Sequence, residues 1–261
     1  MTKEVEVRDE DRIRWITLFR PESKNGLTIE TNEAIIAGLR SAAEAPDVRV
    51  VALHGAGGAF SSGLDLKQAA GNVGDLATLE DRGRAYFSGL IRAVVACPKP
   101  VVALVDGPAA GFGCDLALAC DLRFCSARAR FGEIFVRRGL MPDGGATYTL
   151  PRLIGLGRAL ELMYLGDVVD AEEALRLGIA NRVVPTEGFE AAARDYLGRL
   201  AAGPPLVHQA VKRCVRAALG SSFDAALDAE LKEQIRLLQS KDFFEGIAAF
   251  FQKRAPDFKG E

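Results

Sequence analysis

Two carboxylates, Asp115 and Asp143, stand beside glycine-rich turns in an otherwise apolar stretch spanning residues 105–147. The first turn, Gly107-Pro108-Ala109-Ala110-Gly111-Phe112-Gly113, follows the strand-like run Val101-Val102-Ala103-Leu104-Val105 and precedes a helical pattern over 114–119. Glycine lets the backbone bend tightly there, so unpaired amides should point out of a helix start. Backed by the helix dipole, such amides suit a negative oxygen, either a bound phosphate or the enolate oxygen formed when a carbonyl compound loses an α-proton. Asp115 lies one helical turn after Phe112. That spacing sets its carboxylate on the face of the Phe112 amide, near a carbon whose carbonyl the amide could hold. Each acid also has a structural alternative. Asp115 in a first helical turn can simply offset the macrodipole, and Pro142-Asp143-Gly144-Gly145 is turn chemistry in which Asp bonds its own backbone.

Other chemistries lack their residues. His54 and His208 are the only histidines, and there is no GxSxG elbow, no complete GxGxxG and no GxxxxGK[ST]. The five cysteines, Cys97, Cys114, Cys120, Cys125 and Cys214, form no CxxC pair, which argues for reduced core residues and against disulfides or a metal site. With 33 basic against 35 acidic residues, the chain has no electrostatic drive toward nucleic acid. No segment offers the roughly 18 apolar residues of a membrane span, and the first residues lack a cleavable apolar run. A cytoplasmic enzyme working with carboxylates and backbone amides is the expectation.

The elements that must position these groups read as α/β. Alternation at Val5, Val7, Ile13, Trp15 and Thr17 predicts a β-hairpin turning over residues 8–11. A helix is expected over 30–45, a buried strand over 48–53, a loop over 54–58 and a short helix start over 65–69. Residues 71–78 are small and polar, as in a surface loop or lid, and residues 79–95 have a helical pattern ending before Pro98. Further strands are expected at 121–125, 129–131 and 179–184. From 189 to 251 helical patterns dominate, broken at Gly203-Pro204-Pro205 and Gly220-Ser221. This divides the chain into a core, 1–203, and a C-terminal helical region, 204–261.

Several segments in order carry a resemblance. They are Ala59-Phe60-Ser61-Ser62-Gly63-Leu64-Asp65-Leu66-Lys67, Lys99-Pro100-Val101-Val102-Ala103, the run 107–121, Phe131-Gly132, the run 139–147, Glu245-Gly246 and Lys253-Arg254. Through them the chain resembles the enoyl-CoA hydratase/isomerase, or crotonase, superfamily over essentially its whole length. The resemblance implies an α/β spiral of repeated ββα units, a C-terminal helical trimerisation region, and an acyl-CoA thioester as substrate. It also implies a homotrimer or a hexamer built as a dimer of trimers, with no cofactor beyond the CoA moiety of the substrate.

Carried onto this sequence, the resemblance places an oxyanion hole at the backbone amides of Leu64 and Phe112, and CoA contacts at Lys67 and Lys253. It implies Asp115 and Asp143 as the acids, with Phe135 and Met141 in the substrate pocket. Typical hydratases carry two glutamates at the positions matched by Asp115 and Phe135, where they hold the attacking water; phenylalanine can neither accept a hydrogen bond nor move a proton. An acid at the Asp143 position resembles isomerases of the superfamily, above all the ring-expanding enoyl-CoA isomerases of aromatic degradation. The expectation is therefore an enoyl-CoA isomerase acting through a dienolate. A hydratase and a non-catalytic acyl-CoA-binding homologue are the alternatives.

Overall fold

The computed structural model describes residues 4–65 and 80–261. Strands β1 (Val5–Glu10) and β2 (Ile13–Leu18) form the expected antiparallel hairpin. Its turn is shorter than expected, because Asp11 and Arg12 both take positive φ and close a two-residue loop, so β1 runs on to Glu10. Helix α1 (Ile29–Glu44) starts at a capping box in which Thr28 and Thr31 each bond the other's backbone N–H. Strands β3 (Val50–Gly55) and β4 (Val101–Val105) continue the sheet in parallel, and their uninterrupted apolar runs fit burial on both faces.

The side-chain period of two divides the core. Val51, Leu53, Val101, Ala103 and Val105 join a main cluster with α1. Ala52, Val102, Leu104, Trp15 and Phe124 face the other way, against Ala193, Leu197 and Ala201 of a C-terminal helix. One six-stranded sheet is therefore covered on both sides.

A three-stranded second sheet was not anticipated. β5 (Pro108–Ala110) lies within the expected glycine turn and pairs in parallel with β7 (Arg130–Gly132), which pairs with β8 (Val168–Asp170). At three residues each, β5 and β8 are too short for alternation to register. After β4 and β5 comes α3 (Phe112–Ala119); β6 (Leu122–Ser126) joins the large sheet and β7 the small one. At β4–β5 and again at β6–β7 the chain adds a strand to the large sheet and then one to the small sheet before its helical stretch, which is the expected repeat of ββα units.

A π-type turn, Gly83–Phe87, leads into α2 (Ser88–Ala96). Downstream lie α4 (Ala146–Ile154), α5 (Leu156–Leu165), α6 (Ala171–Leu177), the strand β9 (Arg182–Val184) and α7 (Phe189–Ala201). Then come α8 (Pro205–Ala218), α9 (Phe223–Leu237) and α10 (Lys241–Gln252), with breaks at the two places marked by glycine and proline. Asp121 ties α8 to the core through Lys212 at 2.6 Å and Arg216 at 2.7 Å. All five cysteines are free, four of them buried. Among the described residues no helix is long and apolar enough to cross a membrane. The loop expected over 71–78 and the helix start expected beyond Asp65, with Lys67, lie outside the described residues.

Candidate active site

Close backbone approach builds the centre of the site. The Gly107 φ of +104° and the Gly58 carbonyl, 2.1 Å from where a Cβ would stand, admit only glycine there. The chain then enters β5, and Ser61 of the preceding turn pairs with Ala109, which in turn pairs with Phe131. Three residues on from each of these lie Leu64, Phe112 and Ile134. All three line one cavity, together with Ser62, Phe87, Gly111, Phe135, Arg138, Leu140 and Asp143.

Gly63 fixes how near the first two come. Its φ is +88°, and a Cβ would meet the Ala110 carbonyl at 2.6 Å and the Phe112 amide nitrogen at 3.0 Å. The Leu64 amide therefore follows directly on the contact with the Phe112 amide. Phe112 N–H belongs to the first residue of α3, where no intrahelical acceptor exists. Among the described residues neither amide donates a hydrogen bond to the protein. The structure thus brings the Leu64 and Phe112 amides together beside one cavity, Phe112 at a helix N-terminus, as a pair of donors that could receive a negative oxygen. The Phe112 ring turns inward, packing edge-on against Phe87 with centroids 5.4 Å apart.

The two aspartates stand differently. Every residue of α3 is buried, Asp115 included at 1% exposure. Its carboxylate accepts from the N–H groups of Gly144, at 2.8 Å, and Ala146, at 3.2 Å. Ala146 begins α4, so Asp115 caps that helix from a distance and pins the 143–146 turn. Burial pushes its pKa up to about 7; the Gly144 amide opposes this and the charge of Asp143 adds to it. Asp143 itself lines the cavity and is open toward it. Desolvation raises its carboxyl above the ordinary value of 3.8.

Glu133 is a third acid, missed in the sequence because it stands singly between β7 and the 3-10 helix Ile134–Arg138, in no motif. It is buried, with no hydrogen-bond partner for either oxygen among the described residues. Desolvation and the nearby Asp115 charge push it well above the usual carboxylate range. Burial of this kind favours the neutral acid over the carboxylate.

Phe135, half-buried, lines the same cavity and presents an aromatic ring there. Leu140 lines the cavity where Met141 was expected. Met141 is 67% exposed and is not among the cavity-lining residues, whereas Leu140, 58% exposed, is. Lys253 ends α10 in the left-handed region and is exposed, away from the cavity-lining set. His54 is bonded to Thr17 at 2.8 Å and stacked edge-on with Trp15, and burial lowers its pKa to about 4; it has no part in the site.

Comparison with known proteins gives a consistent result. The family model for enoyl-CoA hydratase/isomerase matches residues 8–261. A protein of Rhodobacter capsulatus named as a probable enoyl-CoA hydratase is 40% identical, over 94% of this chain and 93% of that one. The 1,2-epoxyphenylacetyl-CoA isomerase of Escherichia coli is 33% identical over 97% of both chains. The crystal structure of an enoyl-CoA hydratase from Bacillus anthracis superposes with a TM-score of 0.94 at 31% identity, covering 99% of this chain and 100% of that one.

Proposed function

The chain belongs to the enoyl-CoA hydratase/isomerase family, and within it we propose an isomerase that moves a double bond along an acyl-CoA thioester. One observation carries the reading. Among the described residues a single open carboxyl, Asp143, shares the cavity with the two unpaired amides, while Phe135 lines the wall and the Asp115 carboxylate is taken up by backbone N–H groups. Adding water across a double bond is best served by two acids that hold the water between them. Moving a proton from one carbon to another needs one.

In the proposed sequence the thioester oxygen accepts hydrogen bonds from the Leu64 and Phe112 amides. The Asp143 carboxylate removes a proton from the carbon chain, and the electron pair moves into a dienolate whose oxygen carries the negative charge. Asp143 then returns the proton at the other end of the conjugated system. Each amide donor of this kind contributes about 2.7–4 kcal/mol to the transition state. Asp115 serves from behind, holding the turn that carries Asp143, and its raised proton affinity keeps a second charge from building beside the base. Nothing in these steps calls for a cofactor beyond the CoA moiety.

The same proposal includes Lys67 and Lys253 as contacts to CoA, a cytoplasmic setting consistent with the free cysteines, and a homotrimer, alone or paired into a hexamer. The C-terminal helices support the assembly, since Leu227, Leu231 and Ile235 form an exposed apolar stripe on α9.

The name of the Rhodobacter relative favours hydration as the rival. Purified protein should convert a 3-enoyl-CoA to its conjugated 2-enoyl isomer. Rapid conversion of crotonyl-CoA to 3-hydroxybutyryl-CoA with the 3-enoyl thioester untouched would sink the isomerase reading. Asp143→Asn should lower isomerisation on the order of 100-fold or more. Retained turnover in that variant removes Asp143 from the chemistry.

A further inference from the structure

Arg138 is the one cation lining the acyl cavity among the described residues. It closes the 3-10 helix Ile134–Arg138 and also lines an adjoining groove with Arg20 and Asp65. Ser62, Leu64 and Arg138 are common to both spaces, so cavity and groove meet beside the oxyanion hole.

The other charges of this face are committed. Arg20 is paired with Asp65 at 3.0 Å and Glu4 at 3.3 Å, and it donates to the Gly26 carbonyl at 2.6 Å. Arg138 has no ion pair or hydrogen bond among the described residues. It does not neutralise Asp143 either, whose carboxyl is raised by desolvation with no cation opposing it. A guanidinium and a carboxyl therefore share a cavity without pairing, and each remains available to a bound molecule. On the groove side, Glu22 and Asp65 already balance the positive charge of Arg20. On the cavity side the walls are mostly Leu64, Phe87, Phe112, Ile134 and Phe135, with the exposed Arg138 at their solvent edge, where it can meet the far end of a bound acyl chain.

We propose that Arg138 receives a carboxylate carried by the acyl group, which makes ω-carboxyacyl-CoA thioesters the preferred substrate class. The planar guanidinium offers two parallel N–H donors that match a carboxylate. The proposal rests on the acyl-CoA reading but not on which reaction follows, so its test uses saturated thioesters that can be neither isomerised nor hydrated.

Calorimetric titration of the full-length protein should compare succinyl-, glutaryl- and adipoyl-CoA with butyryl-, pentanoyl- and hexanoyl-CoA, and with free CoA. At least one carboxylated member should bind about tenfold more tightly than its neutral partner of equal length. Arg138→Gln should erase that difference while leaving the neutral thioester unchanged, and Arg138→Lys should restore part of it. Equal affinities within every pair would overturn the assignment and leave the acyl-CoA reading intact. Equal weakening of both members and of free CoA in Arg138→Gln would move the contact to the CoA phosphates, and overturn it likewise. Failure of every thioester to bind would reject the acyl-CoA reading itself.

Discussion

Asp115 is a carboxyl at 1% exposure whose two oxygens each accept from a backbone amide, yet burial still holds its pKa at about 7. That value lies above the ordinary 3.8, so between roughly pH 4 and pH 7 the folded chain keeps a proton that the unfolded chain has released. Stability therefore falls as pH rises across this window and levels off above it. Asp115→Asn, measured by urea unfolding at pH 5 and pH 8, should show a smaller loss between the two, the difference reaching up to about 1.4 kcal/mol per pH unit. An unchanged slope would mean that the buried charge is not what titrates. Glu133, raised further by the same desolvation, contributes in the same sense, so the variant should flatten the profile without abolishing it. Asp143 works in the opposite direction for activity: as a base it must be ionised, and kcat/KM should rise with pH through an apparent pKa above 3.8.

Ser61, Ala109 and Phe131 stand side by side in successive turns of the spiral, so Leu64, Phe112 and Ile134 are equivalent positions in three adjacent elements. Repetition of one backbone path places two amides together although 48 residues separate them in sequence. Gly63 is where this arrangement is most easily broken. Alanine there would have to accept φ of +88° and a 2.6 Å contact with the Ala110 carbonyl, which moves the Leu64 amide off the Phe112 amide. Gly63→Ala should lower kcat on the order of 100-fold, with far-UV circular dichroism preserved. Full activity in this variant would take the Leu64 amide out of the oxyanion hole.

The C-terminal helices present more apolar surface than a monomer ordinarily leaves in water. Leu227, Leu231 and Ile235 recur every fourth residue on α9, and Phe250 and Phe251 on α10 are 76% and 77% exposed. Stable interfaces between proteins bury about 1,200–2,000 Å² in total, with apolar contacts at their centre. Light scattering of the wild-type protein should give a trimer or hexamer mass. Leu231→Glu combined with Ile235→Glu should lower it to smaller species while thermal unfolding stays cooperative. A wild-type monomer would remove the assembly from the proposal.

Local pattern alone determined much of this. The hairpin, the apolar strands β3 and β4, helix α1 and the two breaks after α7 and α8 follow from periodicity, capping and glycine or proline, which act over a few residues. The bend before α3 was readable for the same reason, from Gly107 and Gly111, although residues 108–110 between them form β5. Tertiary structure decided the rest. Strands β5 and β8 exist because other strands pair with them, not because three residues carry a β pattern. Whether Asp115 faces solvent, substrate or a distant helix terminus depends on where the 143–146 turn lies, 28 residues away in sequence. That Leu140 and not Met141 lines the cavity is visible only in the assembled fold. The roles of Glu133 and Arg138 likewise come from what surrounds them, because burial and unpaired charge belong to the assembled fold and leave no mark in the local sequence.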